Sequence, residues 1–179
     1  MKKTTLHYSI VNLFVLSLFL LFISSCQKDN ALKDSSISSA EISKSQTPAN
    51  PPFNIEVILR SDGKAFGHVK FRQDNDAAKI INLETWVRDL EPNHEYQLQR
   101  ATDLILDGNC TGTNWLTLGK GNTTPQSILT DDKGTGKEDL WRDISSVATG
   151  TTFDIHFRII DKTSGAIVLT SDCYEYTVR

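Results

Sequence analysis

Apolar residues recur at every second position through most of the C-terminal part of this chain. The pattern is cleanest in a segment whose apolar positions are Phe153, Ile155, Phe157 and Ile159, with polar residues between them. Because successive side chains of a β-strand point to opposite faces, a period of two predicts a strand with one buried and one solvated face. Such a chain must build a sheet with a covered face, which excludes a helical bundle.

The same alternation, interrupted by turn residues, extends over residues 53–179. Ser61–Lys64 predicts a hairpin turn that leads into a partner strand at Ala65–Arg72. Further turns are predicted at Gly119–Asn122, Asp131–Gly136 and Asp161–Gly165. One strand is predicted with Ile81, Leu83, Thr85 and Val87 on one face and Trp86 on the other. Short strands are also predicted at Trp115–Leu118 and Lys137–Ile144, with one helical turn at Leu140–Val147 as the alternative to the latter, and the last strand is expected at Ala166–Val178. About eight short strands result, which favours an all-β, antiparallel β-sandwich.

Residues 1–25 have the composition of a secretion signal. Lys2 and Lys3 give a positive start, Ile10–Ile23 is almost wholly apolar, and two serines follow it. A charged start, a short apolar run and a small-residue cleavage site predict a signal peptide. The alternative is a transmembrane anchor, for which the run is short because a span needs about 20 apolar residues.

Ile23–Cys26 resembles a lipobox, the motif in which cleavage leaves an acylated cysteine as the mature N-terminus. The segment Gln27–Asp29 is similar to the charged tag that follows this cysteine in many surface lipoproteins of Bacteroidota. The resemblance implies that Cys26 carries lipid, including palmitate. It also implies that the protein is held at the outer membrane and exposed at the cell surface.

Residues 26–52 are rich in Ser, Asn, Lys and Pro, a composition that predicts a flexible tether. Removing residues 1–25 takes away two lysines and no acids, so the net charge changes from -3 to -5. No basic run remains in the mature chain, and nucleic acid is therefore not an expected partner. Three parts follow: a signal peptide (1–25), a lipidated tether (26–52) and a β-domain (53–179).

Cys110 and Cys173 are the cysteines of the β-domain. In an oxidising compartment an even pair predicts a disulfide. A reactive thiol or a metal-binding pair is the alternative. The bond would close a loop of about 60 residues, which stabilises the fold by roughly 4 kcal/mol in the chain-entropy model.

The segment Leu90–Tyr96 has the form Leu-x-Pro-x-x-x-Tyr, with Pro92 at its centre. This form resembles the tyrosine corner of fibronectin type III and other immunoglobulin-like Greek-key sandwiches, in which the tyrosine hydroxyl bonds to nearby backbone. The resemblance implies an architecture and no activity. The 80 or so residues after the corner imply a topology different from that of a fibronectin domain.

A second resemblance, to copper/zinc superoxide dismutases and chordin-like sandwiches, covers more of the domain. It rests on the order of Gly67–Phe71, the Leu-x-Pro turn, His94–Gln99 and Cys110. In the dismutases a His-x-His pair on the strand after the turn holds copper. Gln97 and Gln99 stand at those positions here, and amides are poor copper ligands beside imidazole. The resemblance therefore implies architecture without that metal centre.

The sequence predicts no catalytic residue, bound metal or cofactor. The mature chain has three histidines, His68, His94 and His156, and none has a spacing that places two ligands on one face. We expect all three to be solvated. An acidic group around one turn (Asp131, Asp132, Glu138 and Asp139) would suit calcium, but its order does not match an EF-hand, and a solvated turn is the preferred interpretation.

The three tryptophans of the domain are the candidate ligand-binding residues: Trp86, Trp115 and Trp141. Exposed tryptophans on a sandwich stack on sugar rings or anchor a protein partner, whereas buried ones belong to a core. The prediction is a lipid-anchored binding module, with a glycan as the first candidate ligand. The alternatives are a structural or adhesion protein with an envelope-protein partner, or a divergent metal-dependent enzyme. That enzyme would use distant pairs such as His68 with His156 or Asp131 with Glu138.

Overall fold

A computed structural model describes residues 53–179; the predicted signal peptide, Cys26 and the predicted tether lie outside the described residues. The described chain is all-β, as the alternation predicts. It has ten strands: β1 (Phe53–Arg60), β2 (Phe66–Gln73), β3 (Ile80–Arg88), β4 (Glu95–Asp103), β5 (Leu116–Thr117), β6 (Ile128–Leu129), β7 (Gly136–Asp143), β8 (Thr152–Asp161), β9 (Ile167–Ser171) and β10 (Tyr174–Thr177). Over this range no helix is long and apolar enough to cross a membrane.

All strand pairs are antiparallel and join into one curled sheet. The hydrogen-bonded order is β5-β4-β8-β9-β1-β2-β3-β7, with β10 also on β8 and β6 also on β4. The predicted hairpin is confirmed, because Arg60 pairs with Phe66 across the Ser61–Lys64 turn. After β3 the chain crosses to the other half of the sheet for β4, β5 and β6, and β7 then returns beside β3.

The curl brings the two halves of the sheet face to face over one core. Phe71 of β2 and Phe157 of β8 are not strand neighbours, yet their ring centroids lie 6.1 Å apart. The inward positions of the alternating pattern supply the buried residues. They include Val57, Leu59, Val69, Phe71, Leu83, Val87, Leu98, Ile155, Phe157, Ile159 and Tyr176. At roughly 1.5–3 kcal/mol per buried large apolar side chain, this layer is the main stabilising term.

The segment after β5 joins the two edges of the curled sheet. Leu118 donates its N–H to the carbonyl of Leu98 in β4. Trp141 of β7 donates to the carbonyl of Gly119 and accepts from the N–H of Gly121, each at 3.0 Å. Gly119–Asn122 was predicted as a turn. It also pairs with β7, because the curl of the sheet brings the β7 edge next to this turn.

Two further predicted features are present. Tyr96 is buried, and its hydroxyl accepts the backbone N–H of Glu91 at 3.0 Å, as the tyrosine corner requires. Cys110 and Cys173 form a disulfide that spans 63 residues of sequence, with their Cα atoms 5.4 Å apart.

Two strands differ from the prediction, and one open alternative is resolved. The strand predicted at Trp115–Leu118 is reduced to Leu116–Thr117, and Leu140–Asp143 belongs to strand β7, not to a helical turn. The last strand is divided at Asp172 and Cys173 into β9 and β10. The division arises because β9 pairs with β1 and the second half of β8, whereas β10 pairs with the first half of β8.

Candidate functional site

Trp86 and Trp141 share the outward face of the paired strands β3 and β7. Their strand neighbours Val87 and Leu140 are buried in the core, so the tryptophans project from the opposite face. Trp86 pairs with Lys137, which is four residues before Trp141 on β7. At the rise of a β-strand, the two indoles stand about 14 Å apart along the sheet.

Polar side chains occupy the positions between the two tryptophans. Glu84 pairs with Asp139, and Asn82 pairs with Trp141. The charged groups form exposed ion pairs, Lys70–Glu84 and Lys137–Asp139, with nitrogen–oxygen distances of 3.8 Å each. Exposed pairs at this distance contribute little to stability, so these groups can exchange partners for a ligand at low cost.

Trp141 is the more accessible indole, with 40% of its surface exposed. Its backbone is fixed by the hydrogen bonds to Gly119 and Gly121. The indole lies over Gly121, where an added Cβ would come within 3.2 Å of the ring. Gly121 also has φ of +91°, a conformation that side chains disfavour. The glycine therefore allows the indole to lie against the backbone while the rest of the ring meets solvent.

Trp86 is half-buried and belongs to a small aromatic cluster. Its ring lies 6.1 Å from the ring of Phe66 in an edge-to-face arrangement. The guanidinium of Arg88 lies over both rings, 5.3 Å from the centre of Phe66 and 5.8 Å from that of Trp86. These contacts hold the indole in one orientation, which lowers the entropy cost of stacking a ligand on it.

Trp115 lies on the other half of the sheet and does not join this face. The guanidinium of Arg158 is 4.0 Å from its ring centre, and the ring of His156 is 4.6 Å away. Arg158 in turn donates to the side-chain carbonyl of Gln99 at 2.7 Å. Trp115 therefore packs onto β8, and the three predicted tryptophans form one pair and one separate residue.

Each histidine has a defined partner, which the prediction of solvated histidines missed. His68 contacts Glu56 at 2.5 Å, and His156 contacts the carbonyl oxygen of Gly112 at 3.1 Å. His68 and His156 lie on the outward faces of opposite halves, so the structure does not bring together this predicted pair. The predicted pair of Asp131 and Glu138 is not in contact either. Asp131 accepts N–H groups in its own turn, and Glu138 forms an ion pair with Lys120 at 2.6 Å.

His94 lies beside two carboxylates. The potential ligand atoms of Glu91, His94 and Asp161 all lie within 4.8 Å of one another. Asp161 accepts the N–H groups of Thr163 and Ser164, and it contacts the His94 ring at 2.5 Å. Hydrogen bonding, led by the Ser164 N–H, lowers the pKa of Asp161. The sequence does not predict this cluster, because it depends on strand pairing. Tyr96 pairs with Asp161, and this pairing brings the turn before β4 next to the turn after β8.

No protein-family model matches the chain, and no curated protein has significant sequence similarity to it. A functional assignment therefore rests on the chemistry of the faces described above.

Proposed function

We propose that this chain is a lipid-anchored binding module of the outer membrane that takes a glycan on the outward face of β3 and β7. The observation that carries the proposal is the placement of Trp86 and Trp141 on one face with polar side chains between them. A sugar ring presents C–H groups that pack on an indole, and hydroxyls that bond to amide and carboxylate groups. The separation of the indoles suits an oligosaccharide better than a single sugar.

The lipid anchor and the surface location are supported by sequence. The lipobox-like segment ends at Cys26, 27 residues before the first strand, and the motif implies an acylated N-terminus there. Lipid chains give stable anchoring when more than one is attached. Surface display would expose the β3–β7 face to polysaccharides outside the cell.

We further propose that the domain is an immunoglobulin-like Greek-key sandwich in its architecture. Two features support this: the face-to-face halves of the curled sheet, and the Tyr96 hydroxyl that accepts the Glu91 N–H. The return of β7 to lie beside β3 after three strands on the other half is a connection of the Greek-key kind.

The test is a binding screen of the purified full-length protein, with its disulfide formed, against xylan, laminarin, yeast mannan and pullulan. Binding is read by tryptophan fluorescence and pull-down. We expect saturable binding to one class, and Trp141→Ala should weaken it roughly tenfold, which corresponds to about 1.4 kcal/mol. Trp86→Ala should have a similar effect. Trp115→Ala is the matched control and should leave the affinity unchanged.

Other outcomes would replace this function. If Trp86→Ala, Trp141→Ala and the triple tryptophan variant all bind as the wild type does, the glycan site is wrong. If none of the four polysaccharides binds and crosslinking captures an envelope protein, an adhesion role is favoured. Stoichiometric metal that is lost in His94→Ala would favour a metal-dependent enzyme at Glu91, His94 and Asp161.

A further inference from the structure

Three consecutive aliphatic residues project into solvent from the loop that follows β4. Leu104 is 75% exposed, Ile105 is 74% exposed and Leu106 is 49% exposed. Single exposed apolar residues are common on protein surfaces, whereas a contiguous apolar group marks a contact site. We refer to Leu104–Leu106 as the apolar tip.

The loop behind the apolar tip is held in place by a buried carboxylate. Asp154 of β8 is 2% exposed, and one of its oxygens accepts the backbone N–H groups of Asp107 at 3.1 Å and Gly108 at 2.9 Å. Hydrogen bonds from N–H groups to a carboxylate are among the stronger ones in proteins. The apolar tip therefore stands immediately before a fixed turn.

Two further attachments fix the rest of this loop. Asp103 accepts the N–H groups of Thr111 and Gly112, each at 2.7 Å. The Cys110–Cys173 disulfide ties the loop to the chain between β9 and β10. The fold thus presents the aliphatic side chains on a braced loop, so their exposure is a feature of the folded domain.

The apolar tip lies at the end of the domain where β1 begins. Asp103, just before the tip, pairs with Asp154 near the start of β8, and Thr152 pairs with Thr177 of β10. The ring of Phe53, the first strand residue, lies 4.9 Å from the ring of Tyr176 in the same strand β10. The first strand therefore begins at the same end as the tip.

The charge of the loop indicates which kind of surface it suits. Residues 101–119 contain two aspartates and neither lysine nor arginine. This loop therefore offers no attraction to anionic lipid headgroups, and its contribution to binding is burial of the aliphatic side chains. A neutral lipid surface is the expected partner.

We propose that the apolar tip inserts into the membrane that carries the lipid anchor, and so gives the domain a second contact with the bilayer. This inference rests on the proposed lipid anchor at Cys26. The insertion is shallow, about 5–10 Å, as for other interfacial contacts. It would orient the domain with the tip toward the bilayer and the Ser61–Lys64 turn away from it.

The test uses the full-length protein isolated from membranes and placed in neutral phosphatidylcholine vesicles with brominated acyl chains. Ile105→Trp introduces an indole at the tip, and the signal of the native tryptophans is subtracted. Ile167→Trp is the matched control, because Ile167 is 53% exposed at the opposite end of the domain. We expect bromine to quench the indole of Ile105→Trp roughly twofold, with little quenching in Ile167→Trp. Adding Leu104→Asp and Leu106→Asp to Ile105→Trp should abolish the quenching.

Vesicle flotation of the wild type and of Cys26→Ala reports the anchor separately. If the wild type floats and Ile105→Trp is quenched no more than Ile167→Trp, membrane insertion is wrong and the proposed anchor stands. If the wild type does not float, the proposed anchor is wrong. Quenching of Ile105→Trp by an excess of brominated vesicles then tests membrane insertion of the tip without the anchor. Crosslinking of the tip to an envelope protein without quenching would overturn the proposal in favour of a protein partner.

Discussion

The carbonyl oxygen of Leu90 lies directly over the α-carbon of Gly134. A Cβ built on Gly134 would stand 2.1 Å from that oxygen, and the N–H of Leu90 donates to the Gly134 carbonyl at 3.2 Å. The contact joins the turn before β4 to the turn before β7. Two segments that are distant in sequence are thus held with their backbones in direct contact.

Gly134→Ala should therefore destabilise the domain strongly. The substitution adds a clash with backbone to the strain of a side chain at φ of +74°, and we expect a loss of about 3–5 kcal/mol in the free energy of unfolding. Gly165→Ala is the control, since its φ is +71° and no atom lies within 4 Å of an added Cβ. It should cost about 1–2 kcal/mol. Equal losses in urea unfolding would contradict the role of the Leu90 contact.

Tyr96→Phe should remove the hydrogen bond of the tyrosine corner while keeping the buried ring. The N–H of Glu91 would lose its partner, and we expect a loss of about 1–2 kcal/mol in the free energy of unfolding. The midpoint of urea unfolding should fall with an unchanged slope. A variant as stable as the wild type would show that water replaces the hydroxyl.

Asp154→Ala should loosen the loop that carries the apolar tip. Two N–H groups lose their carboxylate partner, and a loss of about 2–3 kcal/mol is expected. Limited proteolysis should cut between residues 104 and 115 faster than in the wild type. Thr113→Ala truncates a solvent-exposed side chain of the same loop, and its cleavage rate should stay near that of the wild type.

The stability of the domain should decrease in acid, in part through Asp161. Hydrogen bonds, led by the Ser164 N–H, lower its pKa in the folded state below the ordinary value of 3.8. A group with a lowered folded-state pKa stabilises the fold above its ordinary value, and the stabilisation is lost as the pH falls through the folded value. Unfolding measured between pH 7 and pH 2 should therefore be less pH-dependent in Asp161→Asn. Asp172→Asn, at a highly exposed position, should keep the wild-type dependence.

The strands were predictable wherever one face is buried along their whole length. Ile81, Leu83, Thr85 and Val87 read as one face of a strand, and all four are buried in β3. The alternation also placed Trp86 on the outward face. The tyrosine corner and the disulfide were predictable because a short motif and an even cysteine pair each carry a local chemical signal.

The order of the strands, and everything that depends on it, was not predictable. The partners of His94 and Trp141 come from strand and loop segments far away in sequence, and a period of two does not encode which strands pair. The burial of Gln73 was not predictable either. It is buried because its side-chain oxygen accepts the hydroxyl of Tyr176 at 2.6 Å and the N–H of Arg179 at 2.9 Å.

The pairing of Trp141 with Gly119 and Gly121 has a consequence for the proposed lipid-anchored state. Lipid-anchored molecules diffuse in two dimensions and meet one another often. A strand edge with vacant N–H and carbonyl groups can recruit a neighbour's strand and begin aggregation. At Trp141 both backbone groups are already engaged within the chain. At this position the edge therefore has no vacant backbone group to offer to the strand of a neighbouring copy.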